Sequence, residues 1–423
     1  MASVSRDSGL LTNLQSVLSD AAKSVQPDGS EAQSVVDQWL HGLAYDFDLF
    51  GPKPAQVRRK VSGILERNQG GFDVNRIRRA LEKSAAISGP SKRSFSFIDL
   101  FAGVGGMRLG FQEAGGRCVF SSEWDPAAQQ TYRSNHGELP FGDITKIDAN
   151  SIPDHDVLLA GFPCQPFSHA GKKLGIEDTR GTLFHDIARI LDAKRPKFAL
   201  LENVRGLISH GKGDTLRIIL QTLTNIGYEC NLTRELLHLE SPAAVRDSAR
   251  GMLLRSQDFG VPQQRIRIYI VLWRKGLIER FHYPSPTRVR TRVGDILEKT
   301  PDERYRLSDR LWEGHQRRKL ANEIAGKGFG FGLVTPDSPY ANTISARYYK
   351  DGSEILVQDR TGSNPRKLTP REAARLQGFP EAFVLHASTV QAYKQFGNSV
   401  SVPVIRAIAQ SIAAELGTLR MRR

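Results

Sequence analysis

Cysteine is scarce in this chain, and so are the patterns that would hold a metal. Its 423 residues include only 3 cysteines, Cys118, Cys164 and Cys230, which lie far apart and form no CxxC or Cys/His pair. This spacing argues against a disulfide framework and against a structural zinc site, so we expect no metal. Each cysteine is therefore either a small core residue or a reactive thiol.

Long apolar runs are missing as well. No uninterrupted run approaches the length of a membrane-spanning helix, and the first residues, MASVSRD, contain no apolar signal segment. We therefore predict a cytoplasmic protein without membrane attachment. With 39% hydrophobic and 25% charged residues, the chain has the composition of a globular protein with a sizeable core.

The charge of the chain is strongly positive. A formal net charge of +14 favours a polyanionic partner. Nucleic acid is the first candidate and an anionic membrane surface the second. The charge is also compatible with a basic protein that binds neither nucleic acid nor membranes.

Residues 1–93 have a pattern of their own, which predicts an N-terminal helical extension. Helical spacing occurs at residues 31–41, 56–66 and 74–83, and we expect disorder over roughly the first 30 residues. Arginine clusters on these helices favour DNA contact only weakly, because solvated helix faces are usually charged. A DNA-binding regulator of the protein's own promoter, a partner-docking element and a passive helical cap are all open.

The pattern changes at residue 94 to an alternation of strands and helices. This alternation is typical of an α/β fold, an open parallel sheet with helices on both faces. The β-type runs are 96–101, 118–121, 156–161, 198–202 and 267–272. We assign residues 94–275 to a catalytic and cofactor-binding domain, 276–366 to an irregular second domain, and 367–423 to a C-terminal segment that returns to the first.

A glycine-rich turn follows the first strand of this alternation. The run Ala-Gly-Val-Gly-Gly at 102–106 lets backbone approach a ligand closely, although it has neither dinucleotide-type GxGxxG spacing nor the Gly-Lys-Ser/Thr of a P-loop. A structural tight turn explains it about as well. Glu123 and Trp124 follow the next strand and could bind a ribose and an adenine ring, and Asp143 could accept from an adenine amino group.

The third strand ends near Cys164, inside the run Gly-Phe-Pro-Cys-Gln-Pro at 161–166. A structural cysteine usually lies within a strand or helix, whereas this one lies in a proline-stiffened turn at a strand end. Glu202 ends the next strand, and Arg265 and Arg267 begin another. A thiol, a carboxyl and guanidinium groups at one sheet edge predict a nucleophile, a proton donor and an organising cation.

The order of these motifs resembles that of the DNA (cytosine-5) methyltransferase family. The chain carries, in sequence, FAGVGG, EW, GDI, GFPCQPFS, GTLF, LENV, QQRIR, LTPREAARLQGFP and QFGNSVSVP. The resemblance implies a Rossmann-like S-adenosylmethionine-dependent methyltransferase sheet with a smaller target-recognition domain. It also implies a cofactor site lined by Phe101, Gly103, Gly105, Glu123, Trp124, Asp143, Ile144, Leu183, Asn398 and Ser399.

In the mechanism that this resemblance implies, Cys164 adds to carbon 6 of cytosine while Glu202 donates to nitrogen 3. Arg267 holds Glu202 and the base in register, and Arg265 is a supporting cation. The target base must leave the duplex, and residues 165–180 would close over it.

The DNA contacts are predicted from the same resemblance. The region 276–366 is similar to the recognition region of bacterial Dcm-type enzymes, which suggests CC(A/T)GG as the site. Its glycines at 326, 328, 330 and 332 permit tight loops, and Phe329 and Phe331 could as well be core residues. The expected DNA-binding residues are Gln165, Ser168, Arg347, Tyr348, Tyr349 and Lys350.

Three other functions are weighed against this one. A methyltransferase of the same fold acting on tRNA cytosine is disfavoured by the long recognition-type region. A catalytically silent DNA-binding repressor is disfavoured because all matched catalytic residues are present, and an NAD-linked oxidoreductase by the glycine spacing. We expect a monomer that acts on double-stranded DNA, with a cognate restriction endonuclease as a further partner to look for.

Overall fold

The computed structural model describes residues 2–69, 72–87, 94–162, 183–328 and 330–421. Cys164, Gln165, Ser168, Phe329 and the range 165–180, all predicted to have functional or core roles, lie outside the described residues.

The chain divides into two compact units. The first comprises Met1–Leu253, Arg267–Tyr283 and Ala409–Arg423, and the second Leu254–Ile266 and Pro284–Ile408. These units do not coincide with the four segments expected from sequence, because the N-terminal helices belong to the first unit and most of the C-terminal segment to the second.

The first unit is built on a mixed sheet with the strand order β2-β1-β3-β4-β7-β5 and β6 as a further strand. The strands are β1 Phe95–Leu100, β2 Gly116–Ser122, β3 Val157–Gly161, β4 Phe198–Val204, β5 Tyr228–Glu229, β6 Leu253–Arg255 and β7 Ile266–Arg274. β1 to β4 run parallel, but β7 pairs antiparallel with β4 and β5 antiparallel with β7. The open parallel sheet expected from sequence is therefore found in β1 to β4, and β7 and β5 add an antiparallel edge that the sequence did not reveal, because a buried apolar run has the same pattern in either direction.

Helices cover this sheet and close its core. They are α5 Gly106–Glu113, α6 Pro126–His136, α7 Leu183–Lys194, α8 Asp214–Asn225, α9 Arg234–Leu239 and α10 Pro242–Ser248. α7 is typical: Ile187, Ile190 and Leu191 recur at helical spacing and are fully buried. The strands beneath are buried on both faces, as in Leu158–Leu159 of β3.

Four helices precede the sheet: α1 Ala2–Lys23, α2 Ala32–Tyr45, α3 Pro54–Gln69 and α4 Val74–Ser84. The last three confirm the predicted helices. α1 corrects the expectation of disorder at the start of the chain, since Leu14, Leu18 and Ala22 are buried in one core with the other helices. Their spacing of four residues is the helical period, which the serine-rich composition of this stretch obscures.

The second unit combines short strands and helices. A three-stranded sheet has the order β10-β9-β8, with β8 Leu333–Val334, β9 Leu356–Val357 and β10 Arg366–Lys367. The helices are α11 Asp309–Ile324, α12 Pro370–Leu376, α13 Thr389–Asn398 and the start of α14 Val402–Met421. The buried Arg366 guanidinium donates at 2.7 and 2.9 Å to the two carboxylate oxygens of Glu372, which also caps α12. This paired charge joins the small sheet to α12.

Among the described residues one helix, α14, is long and apolar enough to cross a membrane. Its apolar side chains Ile405, Ile408 and Ile412 are fully buried in the protein. Such burial is typical of a core helix.

Candidate active site

The glycine turn after β1 has a strained, ligand-ready backbone. Phe101, Gly103 and Gly105 all have positive φ, at 54°, 56° and 85°, and a bulky residue such as Phe101 rarely adopts this conformation away from functional sites. A Cβ on Gly105 would lie 2.2 Å from Nε2 of His136, so the glycine is required by packing. At Gly103 no described atom lies within 4 Å of a Cβ position, so its backbone faces open space. Gly103 is where a ligand could approach.

Glu123 ties this turn to the end of β2. One carboxylate oxygen accepts from the Gly103 amide at 2.7 Å and the other from the Asp125 amide at 2.8 Å. Burial raises the pKa of Glu123, and the two backbone donors oppose that rise. Trp124 beside it is 77% exposed, which leaves an indole face open for stacking. The Glu123 carboxylate has further lone pairs that could accept from ribose hydroxyls, and the exposed face of Trp124 could stack on an adenine ring.

The loop with Asp143 lies at the same end of the sheet. The Glu123 amide donates to the Phe141 carbonyl at 2.8 Å, which fixes the loop beside β2. Asp143 accepts from the Thr145 amide at 3.0 Å, and Ile144 after it is buried. The Ile144 carbonyl accepts from Arg189 of α7 at 2.6 Å, and the half-buried Leu183 begins that helix. These contacts join the glycine turn, the two acids and α7 in one region of the first unit.

A buried acid behind the turn was not predicted as a site residue. Asp99 in β1 is 1% exposed, and burial raises its pKa to about 8, against the opposing charge of Arg108. Arg108 in turn pairs with Glu138 and donates to the Tyr132 hydroxyl at 2.9 Å. A single acid within an otherwise apolar strand was the available signal in the sequence.

The catalytic pair predicted from sequence comes together at the end of β4. Nε of Arg267 lies 3.3 Å from a carboxylate oxygen of Glu202, and both side chains are largely buried. Glu202 is also in register with Gly161 of β3. The described part of the chain after β3 ends at Phe162, two residues before Cys164 in the sequence, next to the strand that carries Glu202.

Asn203 adds a contact that the sequence did not reveal. Its side-chain amide donates to the Phe162 carbonyl at 2.9 Å, and its side-chain oxygen accepts from the Val204 amide at 2.8 Å. The side chain therefore bridges the end of β4 and the last described residue before Pro163 and Cys164. Its place in the ENV motif was the only signal.

The other two cysteines are unsuited to nucleophilic chemistry. Both are buried, and burial raises the pKa of Cys118 to about 12 and that of Cys230 to about 11. The two thiols donate to the carbonyls of Phe120 and Leu232. At neutral pH almost none of either thiol is ionised, and the thiolate is the nucleophile.

Three of the residues predicted for the catalytic and cofactor sites belong to the second unit. The buried Arg265 donates to the carbonyls of Ile344, Gly397 and Ser399, the last at 2.6 Å. Asn398 is exposed at the end of α13, and Ser399 follows it. Arg265 therefore braces the turn that carries Asn398 and Ser399.

The predicted DNA-binding run divides into exposed and buried residues. Arg347 and Lys350 are exposed, and Tyr349 is half-buried with the Lys394 ammonium over its ring. The prediction for Tyr348 is wrong: it is fully buried, its hydroxyl donates to the Ile355 carbonyl and accepts from the Leu368 amide, and none of it is free for DNA. Residues 346–351 form consecutive turns, which leave Arg347 and Lys350 exposed while Tyr348 is buried.

The glycine-aromatic stretch fits within the second unit. The Phe331 ring packs edge-on against Trp312 at 4.9 Å, which favours a core role for that residue. A Cβ on Gly332 would lie 2.4 Å from the Glu354 carbonyl oxygen, and one on Gly330 2.5 Å from the Lys319 Cβ. Chain packing, not approach to DNA, therefore requires these two glycines.

A cationic surface that we call the arginine loop, residues 288–292, lines a cavity of about 530 Å³ in the second unit. Arg288, Arg290 and Arg292 are exposed, and Arg292 pairs with Asp295 and Asp337. Arg288 has a positive φ of 56°. Concave surfaces with exposed guanidinium groups attract phosphate.

The fold and the first unit's site define a class. A glycine turn after the first strand that is not followed by Gly-Lys-Ser/Thr, and an acid and an exposed indole after the second strand, are features of an S-adenosylmethionine-dependent methyltransferase. Residues 95–414 match the family described as C-5 cytosine-specific DNA methylase, and the chain belongs to that family. It is a DNA (cytosine-5) methyltransferase, and S-adenosylmethionine is its methyl donor. The match begins at residue 95, so the N-terminal helices lie outside it.

Individual relatives agree with the family. The chain is 56% identical over 326 residues to the type II methyltransferase M.SsoII of Shigella sonnei, covering 76% of this chain and 81% of that protein. It is 55% identical to M.NlaX of Neisseria lactamica, covering 78% of this chain and 99% of that protein. Among solved structures, Dnmt2 of S. pombe superposes with a TM-score of 0.58 at 22% identity, covering 77% of this chain and all of that one, a likeness of fold.

Proposed function

We propose that this methyltransferase acts through a covalent bond between Cys164 and carbon 6 of a cytosine flipped out of duplex DNA. The observation that carries the proposal is the ion pair of Glu202 and Arg267, 3.3 Å apart, in which Glu202 is in register with Gly161, three residues before Cys164 in the sequence. The high pKa values of Cys118 and Cys230 support it, because they leave Cys164 as the remaining thiol.

The proposed sequence of steps follows from the reactivity of cytosine. The Cys164 thiolate forms a bond to carbon 6, and the electrons of the 5,6 double bond move into the ring as Glu202, in its acid form, gives a proton to nitrogen 3. Arg267 orients the Glu202 carboxyl throughout. Carbon 5, now nucleophilic, bonds to the methyl group as the bond from that methyl to the sulfonium sulfur of the donor breaks, and its electrons stay on the sulfur, which leaves as a neutral thioether. Loss of the carbon-5 proton to a base then expels the thiolate, restores the double bond and returns the proton from nitrogen 3 to Glu202.

The cofactor pocket is proposed to use the residues at the carboxyl ends of β1 and β2. S-adenosylmethionine supplies a methyl group on a positively charged sulfur. Glu123 accepts from the ribose hydroxyls, Trp124 stacks on the adenine, and Asp143 accepts from its amino group, while Gly103 permits close approach of the backbone. Phe101, Gly105, Ile144 and Leu183 complete the walls, and Asn398 and Ser399 are proposed as further contacts.

Duplex DNA is the substrate, and its contacts are proposed on the second unit. Arg347 and Lys350, both exposed, are proposed phosphate ligands, and the arginine loop adds a cationic surface that the sequence left unassigned. Tyr349, Gln165 and Ser168 stay proposed contacts, and Arg265 a supporting cation. Inserting and holding an extrahelical base costs roughly a few kcal/mol, which these contacts must offset.

The preferred site is proposed to be CC(A/T)GG, because residues 276–366 resemble the recognition region of Dcm-type enzymes. Base-resolution sequencing of DNA from cells that express the protein tests it directly. Marks confined to the inner cytosine of CC(A/T)GG are expected. Equal marks at CC(C/G)GG, or marks at unrelated sequences, would contradict the preference while leaving the chemistry intact. A monomer in the cytoplasm, acting beside a cognate endonuclease, completes the proposal.

The catalytic assignment is tested with matched cysteine variants. Cys164→Ser should lower single-turnover methyl transfer by about a thousandfold or more, because a hydroxyl is a far weaker nucleophile toward the ring. Cys230→Ala, which removes a buried thiol that the mechanism does not use, should keep the rate within a fewfold. Retained activity of Cys164→Ser with loss in Cys230→Ala would refute the assignment.

A further inference from the structure

The N-terminal helix α2 carries an unusual number of buried polar side chains. Ser34, Asp37 and His41 are all nearly inaccessible, and steps of three and four residues put them on one face of the helix. Buried polar groups are costly unless they are bonded, so their partners identify what this face is built to hold.

Two of these side chains, Ser34 and Asp37, bond to backbone groups of one loop, and Asp37 also accepts from the side-chain amides of Gln15 and Gln33. Asp37 accepts from the Leu139 amide at 3.0 Å, and the Ser34 hydroxyl donates to the Pro140 carbonyl at 2.8 Å. Ser30, just before α2, accepts from the Gly142 amide at 3.0 Å. Three side chains of the N-terminal segment therefore hold the backbone of residues 139–142, which leads directly into Asp143.

The loop is shaped to receive this segment. A Cβ on Gly142 would lie 1.8 Å from the carbonyl oxygen of Gly29, so the glycine of the GDI motif is required by contact with the N-terminal chain. On its other side the loop is fixed to β2, where the Phe141 amide donates to the Ser121 carbonyl at 2.9 Å. The loop is thus held between the catalytic sheet and α2.

Two further contacts extend the same interface. Nδ1 of His41 lies 3.4 Å from Glu138, the acid that pairs with Arg108 behind the glycine turn. The Gln38 amide donates to the Val119 carbonyl of β2 at 3.2 Å. The N-terminal helix therefore contacts the structural supports of both the glycine turn and the Asp143 loop.

We propose that α2 is a positioning element of the cofactor site, in which Ser34 and Asp37 fix the loop that presents Asp143 to S-adenosylmethionine. The inference rests on the proposed role of Asp143 in cofactor binding. It assigns residues 2–87 to the support of the catalytic machinery rather than to a separable module. Ser34 and Asp37 act through the loop and do not touch the cofactor.

The test is the affinity of the full-length protein for S-adenosylmethionine, measured by titration calorimetry without DNA. The double variant Ser34→Ala/Asp37→Ala loses two buried hydrogen bonds to the loop, so the dissociation constant should rise about fivefold to thirtyfold. The maximal methyl-transfer rate at saturating cofactor should stay within about twofold, which a general loss of folded protein would not produce. Asp37→Asn keeps an oxygen for the Leu139 amide and should recover much of the affinity.

The matched control is Asp73→Ala. Asp73 is an acid of the same N-terminal segment that caps α4 by accepting from the Asn75 amide, and it does not bond to the loop. Its loss should lower thermal stability without changing the dissociation constant. Equal affinities of the double variant and Asp73→Ala would overturn the inference, and Ser34→Ala alone gives the same comparison if the double variant does not fold.

The variant Asp143→Ala distinguishes an error in the role of α2 from an error in the proposed role of Asp143 in cofactor binding. Weak cofactor binding by Asp143→Ala, with unchanged binding by the Ser34/Asp37 double variant, would refute the role of α2 alone. Unchanged binding by Asp143→Ala would refute the assignment of Asp143 to the cofactor site, and with it the proposed role of Ser34 and Asp37.

Discussion

Removing the side chain of Asn203 tests whether the end of β4 positions the Cys164 segment. In Asn203→Ala the Phe162 carbonyl loses its donor at 2.9 Å and the Val204 amide its acceptor at 2.8 Å. The bond to the Phe162 carbonyl is the buried one of the two, and a buried polar group left without a partner costs about 1–3 kcal/mol. Because the affected groups lie beside the reacting residues, we expect methyl transfer to slow by about 10- to 100-fold, as misplacement of a catalytic group does.

Asn203→Asp is the matched variant for this prediction. It keeps the oxygen that accepts from the Val204 amide but has no N–H for the Phe162 carbonyl, so it isolates the bridge to the cysteine segment. Single-turnover rates with labelled cofactor, together with the dissociation constant for S-adenosylmethionine, separate chemistry from cofactor binding. Slow transfer with unchanged cofactor affinity is expected in both variants. Full-speed transfer in Asn203→Asp would refute the proposed bridge.

The remaining predictions concern stability, cofactor and DNA. Because the pKa of Asp99 is about 8 in the folded chain and about 3.9 in the unfolded one, the folded state binds a proton that the unfolded state has released between these two pH values. The free energy of unfolding that this proton contributes is fully present below about pH 4. It is lost as the pH rises toward 8, by about 1.4 kcal/mol per pH unit. Urea unfolding at pH 5, 6 and 7 should therefore show a flatter profile for Asp99→Asn, and parallel profiles would refute the shift. Trp124→Ala should weaken cofactor binding about twofold to tenfold by loss of stacking, with an unchanged melting temperature because the ring is exposed; a lowered melting temperature with normal binding would contradict this. Arg288→Ala/Arg290→Ala should weaken DNA binding at all sequences and reduce the slope of log K against log salt by about 0.9 for each phosphate that is no longer neutralised, whereas an unchanged slope would exclude the arginine loop from the interface.

Much of the first unit could be predicted from sequence because its signals are local. The apolar runs of β1, β3 and β4 and the glycines after β1 mark strand ends, and the carboxyl ends of parallel strands share one edge. Glu202, near the carboxyl end of β4, is placed by this rule. Arg267 lies near the start of β7 and reaches the same edge because β7 runs antiparallel to β4.

The wrong or missing predictions have a different cause, namely dependence on groups distant in sequence. The antiparallel pairing of β7 with β4 is one example, because the local sequence of a buried apolar strand does not determine the direction of its neighbour. Tyr348 is polar enough to suggest a DNA ligand, yet its hydroxyl completes the core of the second unit. The roles of Asp37 and Asn203 could not be predicted either, because the backbone groups that they bind, at Leu139 and Phe162, lie 102 and 41 residues away in the sequence.

The most direct test of the covalent mechanism is to identify which thiol bonds to the target base. A duplex that carries 5-fluorocytosine at the target position is incubated with the protein and S-adenosylmethionine, since fluorine on carbon 5 cannot leave as the proton does and the adduct therefore persists. Peptide mass spectrometry then locates the modified cysteine. We predict the methylated fluorocytosine on Cys164 and on neither Cys118 nor Cys230. Attachment to another residue, or methylated DNA without any protein adduct, would contradict the mechanism.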